Sequence, residues 1–262
     1  DLYEIVTPYA TADLFDLNYT QSADVLTIVH PSYTPKKLSR IDHNNWTIAD
    51  YTFTPTVAAP ATATATGVTG TGNAYSWRYQ ITAVVDAAGV IDESLPVTTA
   101  ATTTHADKMR ATVTWAAVVG ATYYNVYKDT SGGGVYGFAG RATALTFDDV
   151  NITPSKTDTP PNSANPFSGA GNYPGAVSYF QQRLCFAGSN NAPQSVWMSR
   201  IGNFNNFGYS TPYKDDDSIT FSVASREVHR FRHLLPLREM LGLTTDGEWV
   251  IAGSDSTGLT AK

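Results

Sequence analysis

From Tyr75 to Ala83 every second residue is apolar: Tyr75, Trp77, Tyr79, Ile81 and Ala83 are separated by Ser76, Arg78, Gln80 and Thr82. Side chains of an extended backbone alternate between two faces, so this spacing makes a strand with one apolar and one wet side. A helix would scatter the same residues around its circumference. Nowhere does an apolar repeat of about 3.6 residues persist long enough to specify a substantial helix. The chain is therefore expected to be all-β. Composition agrees, because the charged fraction is 15%, low against a usual ~25%, and Thr, Ala, Gly and Tyr take its place.

Other strand patterns are bounded by turn residues. In "DVLTIVHPSY", Val25, Leu26, Ile28 and Val29 are closed off by His30-Pro31, and "KKLSRIDHNNWTIADY" breaks at Asn44-Asn45. Residues 54–73 are Thr/Ala/Gly/Pro-rich, which predicts a linker or a weak edge strand. A turn is expected at Ala87-Ala88-Gly89. Val113 and Trp115 share one face of their strand, as do Tyr124 and Val126, and all four are expected in one core between two sheets. The Pro/Ser/Asn-rich stretch Thr153 to Gly169 reads as a second linker. Beyond it lie "AVSYFQQRLCFAG", "PQSVWMSRIG", "DSITFSVAS" and "EMLGLTTDGEWVIAG". Strands with turn signals at ~8–12-residue spacing indicate a sandwich or a propeller.

Bulk properties narrow the function. Hydrophobic residues make up 42% of the chain, enough for a sizeable core. A net charge of −6 and a pI near 5.2 argue against a general nucleic-acid binder, which needs a basic face. Cys185 is the only cysteine, so no internal disulfide can form. In the apolar run "RLCFAG" it is expected to be a buried thiol. No apolar run approaches ~18 residues, and no membrane partner is expected. The chain begins at Asp1 without an initiator Met, and reads as an excised piece of something longer.

Candidate sites mostly resolve to structural readings. Gly132-Gly133-Gly134-Val135-Tyr136-Gly137 satisfies G-x-G-x-x-G, but the strand-like "FAGRATALTF" follows where a dinucleotide site needs a helix. A hairpin is expected. Asp215, Asp216 and Asp217 offer hard oxygens for a cation, yet lack the spaced pattern of a Ca²⁺ loop, so a solvated turn capping the next strand is favoured. His229 and His233 have no Glu between them in zinc-protease fashion. With Arg226, Arg230 and Arg232 they suggest a contact surface, or a face touching DNA phosphates. Glu93, Asp148 and Glu239 are strand-end acids that nothing in the sequence brings together. No catalytic residue, cofactor or metal is assigned, and no enzymatic activity is expected. Five Trp and 15 Tyr leave open a carbohydrate-binding role, which coplanar surface rings would favour.

Three resemblances sharpen this. "TVTW" with Trp115, "GATYYNVYK" and "TALTFDDV" resemble a fibronectin type III domain, and "YSWRYQITAVVDAAGVIDESLPV" resembles that family's last two strands. Those strands precede the Trp115 strand here, which implies circular permutation. The flanks, Glu4 to Tyr9 with "YTQSADVLTIVHPSYTPKKL", then "YFQQRLCFAGSNNAPQSVWMSRIGNFNNF" and "KDDDSITFSVASREVHRFRHLLPLREMLGLTTDGEWVI", resemble tail tube or nozzle proteins of short-tailed bacteriophages. "TTDGEWVIAG" is similar to the Asp-box turn of sialidase-type propellers, with Thr244 or Thr245, Asp246, Gly247 and Trp249. In that turn the Asp bonds backbone amides.

Together these imply a fibronectin type III-like sandwich over residues 55–163, inserted between β-propeller-like segments 1–54 and 164–262 that meet through paired strands. The sandwich would open near Tyr75 and close near Asp149, at one pole. The function implied is a structural part of the virion tail. Its partners would be copies of itself in a hexameric ring, neighbouring tail proteins, and DNA in the channel without sequence preference. The competing expectation is a carbohydrate-binding or accessory module of a secreted glycosidase.

Overall fold

Strands hold 46% of the chain and helix 2%, so the protein is all-β. The computed structural model describes residues 4–87, 90–162, 165–224, 226–253 and 258–261, so the centre of the expected 87–89 turn lies outside the described residues. Two compact units form. One comprises Asp1–Thr54, Ala164–Phe207 and Asp215–Lys262; the other comprises Pro55–Ser163 and Gly208–Lys214.

The first unit begins with a 3-10 turn, Thr11–Asp16. An antiparallel meander follows: β1 (Asn18–Ser22), β2 (Val25–His30), β3 (Tyr33–Asp42) and β4 (Asn45–Asp50).

The second unit is a sandwich. Its strands are β5 (Ala63–Gly67), β6 (Ala74–Ala87), β7 (Val90–Glu93), β8 (Val97–Thr98), β9 (Thr102–His105), β10 (Ala111–Trp115), β11 (Tyr123–Asp129), β12 (Gly137–Ala142) and β13 (Thr146–Asp149). One sheet runs β13-β10-β5 and the other β12-β11-β6-β7, with β8 and β9 also paired to β6. The Tyr75–Ala83 alternation holds: Trp77, Tyr79, Ile81 and Ala83 are buried between the sheets, and only Tyr75, at the mouth, is exposed. They meet Val113, Trp115, Tyr124 and Val126 in one core, with the Trp115 and Tyr124 ring centroids 5.4 Å apart.

The chain then returns to the first unit with β14 (Ala176–Phe180), β15 (Arg183–Ala187), β16 (Ser195–Met198) and β17 (Ile219–Ser222), a second four-stranded meander. A third follows: β18 (Phe231–Pro236), β19 (Met240–Thr244) and β20 (Glu248–Ile251). Every residue of β15 and β16 is buried, because their sheet is covered on both sides. Cys185, Ala187, Val196 and Met198 face Phe231, Leu234 and Met240 of the third meander. Leu184, Phe186 and Trp197 face Val29, Tyr51, Phe53 and Phe207.

Two expectations are corrected. The blocks before and after the sandwich do not meet through paired strands: among the described residues each sheet pairs only within its own block, and the contact is made by side chains, through packing and through hydrogen bonds such as that from the Tyr51 hydroxyl to the Phe204 carbonyl. The stretch Thr153 to Gly169 is not a free linker either. Phe167 is 2% exposed and edge-packs on Phe53, Phe186 and Trp197, because an aromatic side chain gains more from that core than from solvent.

Phe186 touches four other rings of this core. Phe186→Ala should therefore cost about 3–5 kcal/mol, read as a lowered urea midpoint at unchanged m-value. A midpoint shift within error would mean the two-sided core does not stabilise the fold.

Candidate functional site

The Gly132–Gly137 run joins antiparallel neighbours β11 and β12, so it is a hairpin loop, as expected. Its shape is fixed from below by Asp129, which is fully buried. Oδ1 of Asp129 accepts from the Ser131 and Gly132 amides and the Ser131 hydroxyl at 2.8–3.0 Å, and Oδ2 accepts from the Gly134 amide at 2.8 Å. Gly132 and Gly134 sit at φ of 70° and 79°, where a Cβ would be strained. Burial works to raise the Asp129 carboxyl, but the amide donors outweigh it and hold it below the usual aspartate range. Three of the loop's amides are thus occupied by the protein's own carboxylate, and the Gly133 amide donates to the Ser131 hydroxyl.

Several other buried polar groups of the sandwich are likewise engaged, although Asp92 Oδ1, Trp115 Nε1 and Asn125 Oδ1 are buried without a hydrogen-bond partner. Lys128 Nζ lies 2.7 Å from Asp149 Oδ2, 3.1 Å from the Ile152 carbonyl and 3.4 Å from the Trp77 ring centre. Asp149 also accepts from the Tyr79 hydroxyl at 2.6 Å. Glu93 accepts from Thr82, Asn125 and Tyr127, and Asp148 accepts from the Thr112 hydroxyl at 2.7 Å. These acids hold strands together. Sequence reasoning missed Lys128 and Asp149, because nothing in "YKD" or "FDDV" announces that both charges are buried.

The Asp215-Asp216-Asp217 triplet is a turn, as expected, with Asp215 exposed, but it is solvated only in part. Asp217 is fully buried, and Arg200 lies 2.7 Å from Asp216 Oδ2 and 3.4 Å from Asp217 Oδ1. Arg183, 1% exposed, donates to the carbonyls of Ser199, Asp215 and Asp217. Asp216 and Asp217 supply carboxylate acceptors to Arg200, and the backbone of the turn supplies carbonyls to Arg183, because a buried arginine requires acceptors. Among the described residues no group of His, Cys, Asp and Glu is arranged to hold a metal ion.

Asp246 also differs from the expected amide-bonding turn. It is Thr244 that closes the turn, donating from its hydroxyl to the Gly247 carbonyl at 2.7 Å, while Asp246 lies 3.6 Å from His229 Nδ1. Tyr209 and Tyr213 are exposed but stack on each other at 5.3 Å and 30°, so one face of each ring is taken by its neighbour.

The Arg/His cluster supplies the candidate site. The start of β18 brings Arg230, Arg232 and His233 to one wall of a cavity of about 350 Å³. Asp13 and Asp16 stand on the 3-10 turn, and His30 ends β2. Burial lowers the Arg230 guanidinium pKa, the nearby Arg232 charge lowers it further, and Asp16 opposes both. Arg226 and Glu239 are exposed and do not line this cavity.

No protein-family model matches the chain, and no curated protein matches it.

Cys185 is buried and unpaired, and burial pushes its thiol up to about 12. A thiol reagent at pH 8 should label it only on unfolding, so rapid labelling of folded protein would contradict the two-sided sheet. In the hairpin, Asp129→Asn places an amide NH₂ against a backbone donor and should cost about 1–3 kcal/mol at neutral pH. The folded Asp129 pKa is depressed, so its stabilisation is full above the unfolded value near 3.8 and is lost as pH falls through the lower folded value. The gap between wild type and Asp129→Asn in chemical unfolding should accordingly shrink below pH 3.8. A constant gap would show that the charge on Asp129 is irrelevant.

Proposed function

We propose that the chain is a non-enzymatic structural component of a bacteriophage tail, a fragment of the tube or nozzle wall that assembles with copies of itself. On this reading the three meanders are blade segments of a propeller-like body. The sandwich is a fibronectin type III-like domain whose last two strands come before the Trp115 strand. The virion is its location, with neighbouring tail proteins as further partners. The ring would hold six copies, as the resemblance implies, around a channel whose DNA is contacted without sequence preference.

The observation that carries this reading is the outward face of the β1–β4 sheet. Residues paired across strands share a face, and the register places Tyr19, Leu26, Leu38, Trp46 and Ile48 together, opposite the face of Val29. Tyr19 is 65% exposed, the other four are partly exposed, and none belongs to the three cores. The row is rimmed by the Lys36–Asp50 and Arg40–Asp24 pairs. An apolar centre with a charged rim is the anatomy of a surface that packs against protein. The engagement of Glu93, Asp129 and Asp149 in bonds that join strands and shape a turn supports a structural rather than catalytic role.

Light scattering across a concentration series, with electron microscopy of the product, tests the reading. Self-association is expected, and Leu38→Asp and Ile48→Asp should each weaken it at least tenfold while leaving the circular dichroism spectrum intact. A chain that stays monomeric at its highest soluble concentration would overturn the proposal.

A further inference from the structure

One hydrogen-bond donor at the cavity beside β18, on Arg230, lacks an acceptor. Arg230 reaches it past Gly175, and a Cβ at that glycine would lie 3.4 Å from Arg230 Nη2. That nitrogen is buried and has no hydrogen-bond partner. A buried guanidinium N–H without an acceptor forfeits a charge-assisted bond, roughly twice as strong as a neutral one, so an occupant that supplies an acceptor is favoured.

The two histidines add donors of their own. The Ser32 amide donates to His30 Nδ1 at 3.1 Å. The Asn18 side-chain amide lies 2.9 Å from His233 Nδ1, and its nitrogen is identified by its second bond, donated to the Arg232 carbonyl at 3.2 Å. A ring nitrogen that accepts carries no proton, so each imidazole presents Nε2–H as its remaining donor. Arg232 completes the set, its charge close enough to act on Arg230.

The acids of the opposite wall do not complement these donors. Asp13 already accepts from the Tyr33 hydroxyl at 2.7 Å, and Asp16 is exposed. Among the described residues neither carboxylate forms an ion pair with Arg230 or Arg232. They oppose an anion at long range and close off one side of the cavity, which limits the size of what can enter.

The geometry points to a binding site for a small oxyanion, of phosphate or carboxylate type, held by Arg230 and Arg232 with imidazole Nε2–H groups of His30 and His233 as supporting donors. The site is independent of the assembly reading, since it lies within the first unit and uses none of the residues on the outward face of β1–β4.

Calorimetric titration of the whole chain with inorganic phosphate, and separately with acetate, against chloride at matched ionic strength tests this. Saturable binding of phosphate at one site is expected. Arg232→Gln, a change at an exposed residue that should leave the fold intact, should weaken it about tenfold, the loss of one charge-assisted bond. Arg230→Gln should abolish it. Binding of acetate as well as phosphate, with the same dependence on both arginines, supports a general oxyanion site; binding of phosphate alone supports a tetrahedral-anion site. No heat beyond the chloride control from either anion would overturn the proposal. So would phosphate binding that Arg232→Gln leaves unchanged.

Discussion

The first unit depends on two central strands, β15 and β16, that have no wet face. An antiparallel sheet ordinarily buries one side and hydrates the other. Here β15 and β16, at the centre of the β14–β17 meander, are covered on both, and β15 shows how its sequence permits this. Leu184 and Phe186 fill the side shared with Val29, Tyr51 and Phe53, whereas Cys185 and Ala187, both small, let Phe231 and Leu234 approach the other. Large residues alternate with small ones rather than apolar with polar. The arrangement ties the residues before the sandwich to those after it, because Tyr51 and Phe53 reach the core only by packing on Phe167, Phe186 and Phe207.

The sandwich is organised differently, with charge at its centre. Lys128 and Asp149 are both fully buried, and burial lowers the lysine's pKa despite its carboxylate neighbour. Desolvating two charges costs several kcal/mol each, so the pair is tolerated only with saturated geometry. The Tyr79 hydroxyl, the Ile152 carbonyl and amide, and the face of Trp77 supply it. Such a network adds directional bonds between β6, β11 and the end of β13, which apolar contacts alone would leave free to slide.

Period-two patterns were legible wherever one face is wet. β6 and β10 could be read directly, and Trp115 with Tyr124 identified the core between the sheets. β15 was legible as an apolar strand, but its two-sidedness was not, since a short apolar run fits one buried face or two equally well. Composition misled at Phe167, one aromatic among prolines and asparagines, because low complexity averages over the residue that matters. The weak-edge expectation for residues 54–73 held at β5, which pairs with β10. In the candidate site, "REVHRFRH" disclosed the clustered cations but not the cavity. Its other walls come from the 3-10 turn, the end of β2 and Gly175, all distant in sequence.

The entry and exit of the sandwich also differ from the simplest insertion geometry, and the reason lies in β5. Phe53 and Phe167 pack with ring centroids 5.0 Å apart, so the points where the chain leaves and rejoins the first unit are adjacent. Asp149 does end β13 at the pole where Tyr75 lies: it pairs with Ala111, Ala111 with Gly67, Gly67 bonds Thr102, and β9 pairs with the first residues of β6. But β5 precedes β6 and begins opposite Trp115, at the other pole. Entry is therefore displaced, and Thr56 is anchored there by Asp92, across from Val85. A chain that simply stopped at Asp149 would end a full strand length from where it began. The Pro/Ser/Asn-rich stretch makes up the difference. Ser155 bridges to Phe138 of β12, the Asp158 carbonyl accepts from the same Phe138 amide, and the Asp158 side chain pairs with Lys214. What composition marked as linker begins the return path, laid against the edge strand β12 at the level of Tyr127 and Gln80. It is fastened by backbone and ionic contacts because it has few apolar residues to bury.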